Sequence, residues 1–307
     1  MSGAVPMTRE DGWFAVLNPV SGGGRALRDR ARIEAALHAH GIEGRLLVSE
    51  HAGHAVALAR EAARSGFRRF IAIGGDGTLH EILNGALAAG VAPTLALVPV
   101  GRGDDWARTA GVPRDITAAI ALIARGRTIA HDVGVAAFDL AGPQGKRHFI
   151  NVAGAGFDAF VVAQTRALRL GRLTYLAGLL RGFATFRAPR MRVEAGGTVQ
   201  AERMFLAFAA VGQYCGGGMH VAPGARTDDG LFDVVTVGEI GKLELLLNVR
   251  RLFDGTLPQY HKVRVTRAGC IRVEADPPAQ VEADGELLGE TPVTFSVLPG
   301  AARVIVP

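Results

Sequence analysis

Phe70-Ile71-Ala72-Ile73-Gly74-Gly75-Asp76-Gly77-Thr78-Leu79-His80-Glu81-Ile82-Leu83-Asn84 passes from a short apolar run, through three glycines around one carboxylate, into residues of helical period. Phe70 to Ile73 predicts a buried strand and Thr78 to Ala89 a helix, with a glycine turn between them where the backbone approaches something closely. Such a unit is half of a strand–helix–strand crossover, and it recurs on both sides. Upstream, Trp13 to Leu17 reads as a strand, Arg25 to His40 as a helix with Ala26, Ile33 and Leu37 inward, Arg45 to Val48 as a strand and Gly53 to Ser65 as a helix. Downstream, Thr94 to Val98 reads as a strand, and Asp104 to Ala110 and Asp115 to Ala124 as helices. Strict alternation requires crossover connections, hence a largely parallel sheet with helices on both faces, and ligands of such sheets bind beyond the carboxyl ends of the strands.

After about residue 127 the texture changes to alternating, Val-rich segments broken by Gly, Pro and Asp: Thr128 to Val135, His148 to Ala153, Met191 to Glu194, Met204 to Val211, Leu231 to Val237, His261 to Val265, Cys270 to Glu274 and Val293 to Val297. Two stretches, Asp158 to Phe186 and Ile240 to Leu252, read as helical instead. The expected architecture is a doubly wound α/β domain over residues 12–128 and a β-sandwich over 129–307, with a cleft between them.

Composition narrows the chemistry. The chain has 307 residues, 49% of them apolar, which is enough for two cores. Its two cysteines, Cys215 and Cys270, can form neither a disulfide framework nor a four-cysteine zinc site. No apolar run reaches the length of a membrane span, and the opening MSGAVPMTREDGW lacks the pattern of a signal peptide, so the expected location is cytoplasmic. A net charge of +5 invites an anionic partner, yet the three lysines stand at 146, 242 and 262. Phosphate chemistry in the first 145 residues therefore rests on backbone amides, arginines and carboxylates, which excludes the lysine-dependent P-loop and protein-kinase motifs.

Each strand end in the first half opens into a polar, glycine-bearing loop: Asn18-Pro19-Val20-Ser21-Gly22-Gly23-Gly24-Arg25, Gly74-Gly75-Asp76-Gly77-Thr78, and Pro99-Val100-Gly101-Arg102-Gly103-Asp104-Asp105-Trp106-Ala107-Arg108. Gathered at one sheet edge, these loops would offer amide nests and helix N-termini to a polyphosphate, with Asp76 and Asp105 available for Mg²⁺. The combination resembles the diacylglycerol kinase catalytic-domain family, which includes sphingosine and ceramide kinases. The Gly-Gly-Asp-Gly loop is shared with NAD kinases and phosphofructokinases, whereas the third loop and the late Asp284-Gly285-Glu286 are similar to those of lipid kinases.

That resemblance implies an ATP-dependent kinase of a lipid hydroxyl, peripherally associated with a membrane surface and allowed to be a homodimer. It places the nucleotide on Asn18, Gly22, Gly23, Arg25, Gly74, Gly75, Asp76, Gly77, Thr78, Gly101, Arg102 and Asp105. It also makes Asp284 the general base, with Glu286 assisting through magnesium or by orienting it. From the residues alone, Ala283-Asp284-Gly285-Glu286 reads first as an ordinary Asp-Gly hairpin turn, and it is the resemblance, with the earlier loops, that turns the reading to catalysis. The family's Gly-Thr-x-Asn-Asp is replaced here by Gly101-Arg102-Gly103-Asp104-Asp105; Arg102 could clamp a phosphate and Asp104 could hold magnesium. An NAD kinase-like phosphotransferase and a non-catalytic nucleotide or lipid sensor remain alternatives.

Thr227-Asp228-Asp229-Gly230-Leu231-Phe232-Asp233 resembles the family's acidic turn, which implies a structural magnesium ion at Asp228; from the residues alone it is equally a turn before the strand Val234 to Val237. Between Ala159 and Val193 no acidic residue occurs, and Arg166, Arg169, Arg172, Arg181, Arg187, Arg190 and Arg192 alternate with leucines and aromatics. Such a stretch suits an anionic membrane or, equally, a solvated helix covering the sandwich. No nucleic-acid-binding motif is present. His51 and His54 read as surface or cap residues, and Gly216-Gly217-Gly218 as a turn near the substrate.

Overall fold

The computed structural model describes residues 11–138, 145–166 and 185–307. They form two compact units, Met1–His131 with Gly300–Pro307, and Asp132–Pro299. The division differs at the C-terminus from the one expected. The last eight residues join the first unit, where Arg303 and Val304 pair in parallel with Thr94 and Leu95.

The first unit is built on β1 (Trp13–Leu17), β2 (Gly44–Val48), β3 (Arg69–Gly74) and β4 (Thr94–Pro99), all parallel, in the order β4–β3–β1–β2. β1 and β3 are buried along almost their whole length, which is why they read as continuous apolar runs and not as alternating ones. The helices are α1 (Ser21–Arg28), α2 (Arg30–Ala39), α3 (His54–Arg64), α4 (Asp76–Ala88), α5 (Asp105–Ala110) and α6 (Ile116–Arg125). The strand order reverses between β1 and β3, and right-handed crossovers then send α2 to one face and α3 and α4 to the other. α3 packs against α4 as that rule requires, and α6, which follows β4, packs against α2. The single helix expected over Arg25 to His40 is two helices parted at Asp29, and residues 22–24 at its start are not helical.

α4 is buried nearly all round, with Leu79, Ile82, Leu83 and Ala86 fully buried. Each of the three larger side chains contributes about 1.5–3 kcal/mol by leaving water. The contact with α3 is close because of Gly85, where a Cβ would lie 2.3 Å from the Val56 carbonyl oxygen and 2.8 Å from the Ala59 methyl.

The second unit holds most of β5 (Thr128–Phe138), then β6 (Lys146–Phe149), β7 (Val152–Gly156), α7 (Phe157–Arg166), β8 (Arg190–Ala195), β9 (Thr198–Ala210), β10 (Tyr214–Cys215), β11 (Met219–His220) and β12 (Phe232–Gly238). It continues with α8 (Lys242–Asn248), β13 (Val263–Ala268), β14 (Cys270–Asp276), β15 (Gln280–Ala283), β16 (Glu286–Glu290) and the first half of β17 (Val293–Ile305). One antiparallel sheet runs β16–β15–β7–β9–β12–β13 and a second runs β9–β8–β14–β17. β9 serves both, pairing with β8 through Arg203 and with β12 from Met204 onward. The β-sandwich read from the sequence is therefore present, and its core contains Phe149, stacked on Phe232 at 5.7 Å and edge-on to Phe295 at 6.0 Å.

The strand expected over His148 to Ala153 is interrupted at Ile150 and Asn151, whose amides are needed elsewhere. Most of the basic stretch expected between Ala159 and Val193 lies outside the described residues. Among the described residues no helix is long and apolar enough to cross a membrane.

Replacing Gly85 with Val should wedge α3 from α4 and destabilise the first unit by about 1–3 kcal/mol. The measurement is the urea midpoint, which should fall at unchanged slope.

Candidate functional site

The reversal of strand order places the carboxyl ends of β1 and β3 side by side, and the loops that leave them are tied together. Asn18 donates its backbone N–H to the Ile73 carbonyl at 3.0 Å and its side-chain amide to Thr78 Oγ1 at 3.3 Å. Its own Oδ1 accepts from Val20 N at 3.2 Å. Asn18 and Thr78 are thus the clasp between the first two glycine loops.

Gly22, Gly23 and Gly24 have φ of 62°, 71° and 85°, a run of left-handed backbone that residues with side chains rarely adopt. Successive peptide units so oriented turn their N–H groups to one side, the form of an anion-binding nest. A Cβ on Gly22 would also stand 2.4 Å from the Val100 carbonyl oxygen, so the first loop packs directly on the third.

The second and third loops meet in the same manner. Val100 N and Gly101 N both donate to the Gly74 carbonyl, at 2.7 and 3.1 Å. A Cβ on Gly101 would lie 2.7 Å from Gly75 Cα, and one on Gly74 would lie 2.3 Å from Thr78 Oγ1. Gly77, by contrast, faces open space at the first turn of α4. The structure brings together Asn18, Gly22, Gly23, Gly74, Gly75, Thr78 and Gly101, with Arg102 reaching back so that its guanidinium borders Gly23. Arg25 is exposed at the end of the glycine run.

The carboxylates divide their work. Asp104, in a left-handed conformation with φ 51°, turns inward against Gly101 and pairs with Arg114 at 3.5 Å. Burial raises its pKa and the Arg114 charge opposes that rise. Asp104 therefore braces its own loop, a different role from the metal ligand considered for it. Asp76 accepts from the backbone N–H groups of Asp105 and Trp106, each at 3.0 Å, and so caps the N-terminus of α5. Burial first, and the Asp105 charge second, push its carboxyl up to about 6. A Cβ on Gly103 would stand 3.4 Å from both Asp76 Oδ2 and Asp105 Oδ2, so these oxygens flank one point of backbone.

Two adjacent hard-oxygen donors whose mutual repulsion a cation would relieve fit Mg²⁺, which is commonly held by one or two carboxylates together with substrate phosphates. Among the described residues no group of three potential ligands stands ready to hold a metal unaided. Asp228 is half-exposed and pairs with Arg226 at 3.5 Å.

In the second unit, Ala283 pairs with Glu286, and Asp284 and Gly285 form the two-residue turn with φ of 49° and 81°. Positive φ at both positions is the type I′ hairpin. The Asp284 carboxylate is nonetheless fixed by three successive amides: Oδ2 accepts from Ile150 N at 2.9 Å, and Oδ1 from Asn151 N at 3.0 Å and Val152 N at 3.3 Å. This is why the strand over His148 to Ala153 breaks. Glu286 opens β16, across the turn from Ala283.

Three residues here escaped the sequence reading. Asn151, besides its bond to Asp284, donates through Nδ2 to the Tyr214 carbonyl at 2.6 Å and accepts from Val211 N and Gly212 N. It joins the Asp284 turn to the β10–β11 hairpin, whose Gly216, Gly217 and Gly218 all have positive φ. Glu282 accepts from Gly285 N at 2.7 Å and shares a hydrogen bond with Asp158, carboxyl to carboxyl, in the interior. Burial raises the pKa of both, that of Asp158 to about 6, and the neighbouring Asp158 charge adds to the rise at Glu282. A hydrogen bond between two carboxyls requires a proton on one of them. The only sequence signal was an acid at the second residue of a helix and another inside a strand, 124 positions apart.

His51 and His54 stack on each other at 4.9 Å, and His54 Nδ1 accepts from Glu50 N at 3.0 Å. His51 is exposed, one of the two places read for it from the sequence, while the N-cap of α3 is Gly53 and its first amides are met by Glu81, so neither imidazole caps the helix.

Because the folded-state pKa values of Asp158 and Glu282 lie above their unfolded ones, the stability they contribute is complete below the ordinary carboxylate range and is lost as pH rises through about 6. Glu282→Gln keeps an acceptor for Gly285 and supplies a permanent donor to Asp158. Its unfolding free energy should fall less than that of the parent between pH 5 and 8, by on the order of 1–3 kcal/mol; parallel pH profiles would exclude the shared proton.

Comparison with known proteins agrees with this geometry. The diacylglycerol kinase catalytic domain matches residues 12–136, and the YegS C-terminal NAD kinase beta sandwich-like domain matches residues 151–306. The protein named probable lipid kinase YegS-like of Pseudomonas fluorescens is 33% identical over 91% of this chain and 90% of its own length. Diacylglycerol kinase of Bacillus subtilis is 27% identical over 95% of each. The fold is shared with the crystal structure of a diacylglycerol kinase from Bacillus anthracis, with a TM-score of 0.75 at 24% identity over 98% of both chains. With both domains matched in order along nearly its whole length, the chain belongs to the family of the diacylglycerol kinases and YegS-like lipid kinases.

Proposed function

We propose that the protein transfers the γ-phosphoryl group of ATP to a hydroxyl of a diacylglycerol-, sphingoid- or related lipid, with Mg²⁺ as cofactor. The observation that carries this reading is the backbone-to-backbone packing of three glycine-rich loops at the strand-order switch, with Asp76 and Asp105 beside them. Switch points of open α/β sheets are where nucleotides bind, and a run of left-handed glycine amides suits phosphate.

Each residue then has a task. The amides of Gly22, Gly23, Gly75 and Gly77 and the N-terminus of α4 receive phosphate oxygens. Arg25 and Arg102 supply the positive charge that lysine provides elsewhere, Arg102 through a fork suited to two oxygens at once. Asp76 and Asp105 would hold Mg²⁺, which neutralises charge on the phosphates. Asp284, its carboxylate aimed by three amides, takes the proton of the acceptor hydroxyl as that oxygen bonds to the γ-phosphorus and the bond to the β-phosphate oxygen breaks, releasing ADP. Glu286 assists by orienting that acceptor. Phosphoryl transfer asks for positioning and charge neutralisation more than for covalent chemistry, and these groups supply both.

Radiolabelled transfer from ATP to extracted lipids tests the reading; nucleotide binding without any labelled lipid would favour a sensor of the same fold. Asp284→Asn should leave MgATP affinity nearly intact and lower turnover by about 10² to 10⁴. Near-normal turnover of that variant would remove Asp284 as base. Arg102→Ala should raise the KM for MgATP about tenfold with a smaller change in kcat, the pattern of a lost binding contact.

A further inference from the structure

Five of the ten large hydrophobic residues that stand exposed among the described residues fall within eleven positions of one another: Leu243, Leu246, Leu247, Val249 and Phe253. Leu243, Leu246 and Leu247 lie on α8, Val249 in the single 3₁₀ turn that follows it, Val249–Leu252, and Phe253 just beyond that turn. Leu243, Leu246 and Leu247 are 69%, 67% and 75% exposed, on a segment whose other side is firmly seated. Leu245 is buried, and Leu252 packs with Val237, Leu257, Tyr260 and Val263 on the outer face of the β9–β12–β13 sheet.

Polar contacts fix the same inward side. Glu244 binds the Tyr260 hydroxyl, Lys262 Nζ at 2.7 Å and Gly241 N at 3.2 Å, and Arg251 lies over the Tyr260 ring at 5.8 Å. The hydrogen bonds from Lys262 and Tyr260 hold the Glu244 carboxyl down at about 2. α8 is thus a rigid ridge that is apolar outward as well as inward, which neither packing nor solubility explains.

We propose that this ridge is a membrane-docking surface that enters the headgroup region of an anionic bilayer. The spacing is that of one helix face, with Leu243, Leu246, Leu247 and then Arg250 at steps of three and four. Charge selects the occupant: Arg250 is 89% exposed at the end of that face, Glu244 is turned inward, and the acid beside Arg250, Asp254, is one-third exposed and divided between Arg250 and Thr256. Leucines flanked by arginine on a short exposed helix bind anionic lipid by apolar burial together with charge. The area also argues for a membrane over a second copy. The exposed fractions amount to about three whole side chains, on the order of 500 Å², below the roughly 800 Å² per partner of a stable protein interface.

The inference rests on the reading of the acceptor as a membrane lipid, and the two are separable by experiment. Sedimentation of the full chain with phosphatidylcholine vesicles, with and without phosphatidylglycerol, should show preference for the anionic vesicles. The double variant Leu246→Glu, Leu247→Glu should lose vesicle binding by at least tenfold while keeping its melting temperature and its rate on a short-chain, monomeric diacylglycerol. Arg250→Ala should reduce the preference for phosphatidylglycerol several-fold. Undiminished binding by the double variant, or a dimer of the parent that the double variant abolishes, would overturn the docking surface. Vesicle binding that depends on Leu246 and Leu247 in a protein that phosphorylates no lipid would sustain the surface and overturn the proposed activity.

Discussion

Gly75 and Gly101 touch through their backbones, and the first unit is arranged around that contact. It exists because the Gly74 carbonyl accepts two successive amides from the third loop, which draws the ends of β3 and β4 closer than side chains would permit. Gly22 makes the equivalent approach to Val100 from the first loop, and Asn18 closes the triangle by gripping Thr78. Three loops at this separation hold a dense, preorganised set of peptide dipoles. Preorganised dipoles of this kind favour an anion without having to reorient when it arrives.

The carboxylates nearby show how one residue type takes different roles by position. Asp104 is turned inward to Arg114, in the place where the family pattern has an amide, and it braces the loop from within. Asp76 and Asp105 stand close enough for the charge of one to raise the pKa of the other. Such a pair is stable when a helix N-terminus faces it, and Asp76 has the N-terminus of α5. The resulting site is anionic at its centre, with arginine and amides around it, an order suited to a metal–phosphate complex.

In the second unit the comparable device is a buried proton. Glu282 reaches Gly285 with one oxygen and Asp158 with its carboxyl, so the hairpin that carries Asp284 is anchored to the start of α7. Asn151 anchors it to the β10–β11 hairpin. The orientation of Asp284 is therefore set by elements drawn from four separate parts of the chain. That arrangement explains why an ordinary Asp-Gly turn can carry more than a change of chain direction.

The sequence by itself determined the α/β and β-sandwich classes, because hydrophobic period and glycine punctuation are local: Phe70 to Ile73 had to be a buried strand and Gly74-Gly75-Asp76-Gly77 had to be a turn. It also determined which loops carry the polar groups, since these follow the strand ends. It could not decide what each polar group touches. The reversed φ at Asp104, the break of a strand at Ile150 to feed Asp284, the carboxyl pair of Asp158 and Glu282, and the return of residues 300–307 to the first sheet all depend on partners distant along the chain. Local pattern records whether a residue faces an interior; only the packed structure decides which neighbour meets it there, and that neighbour sets its charge, conformation and role.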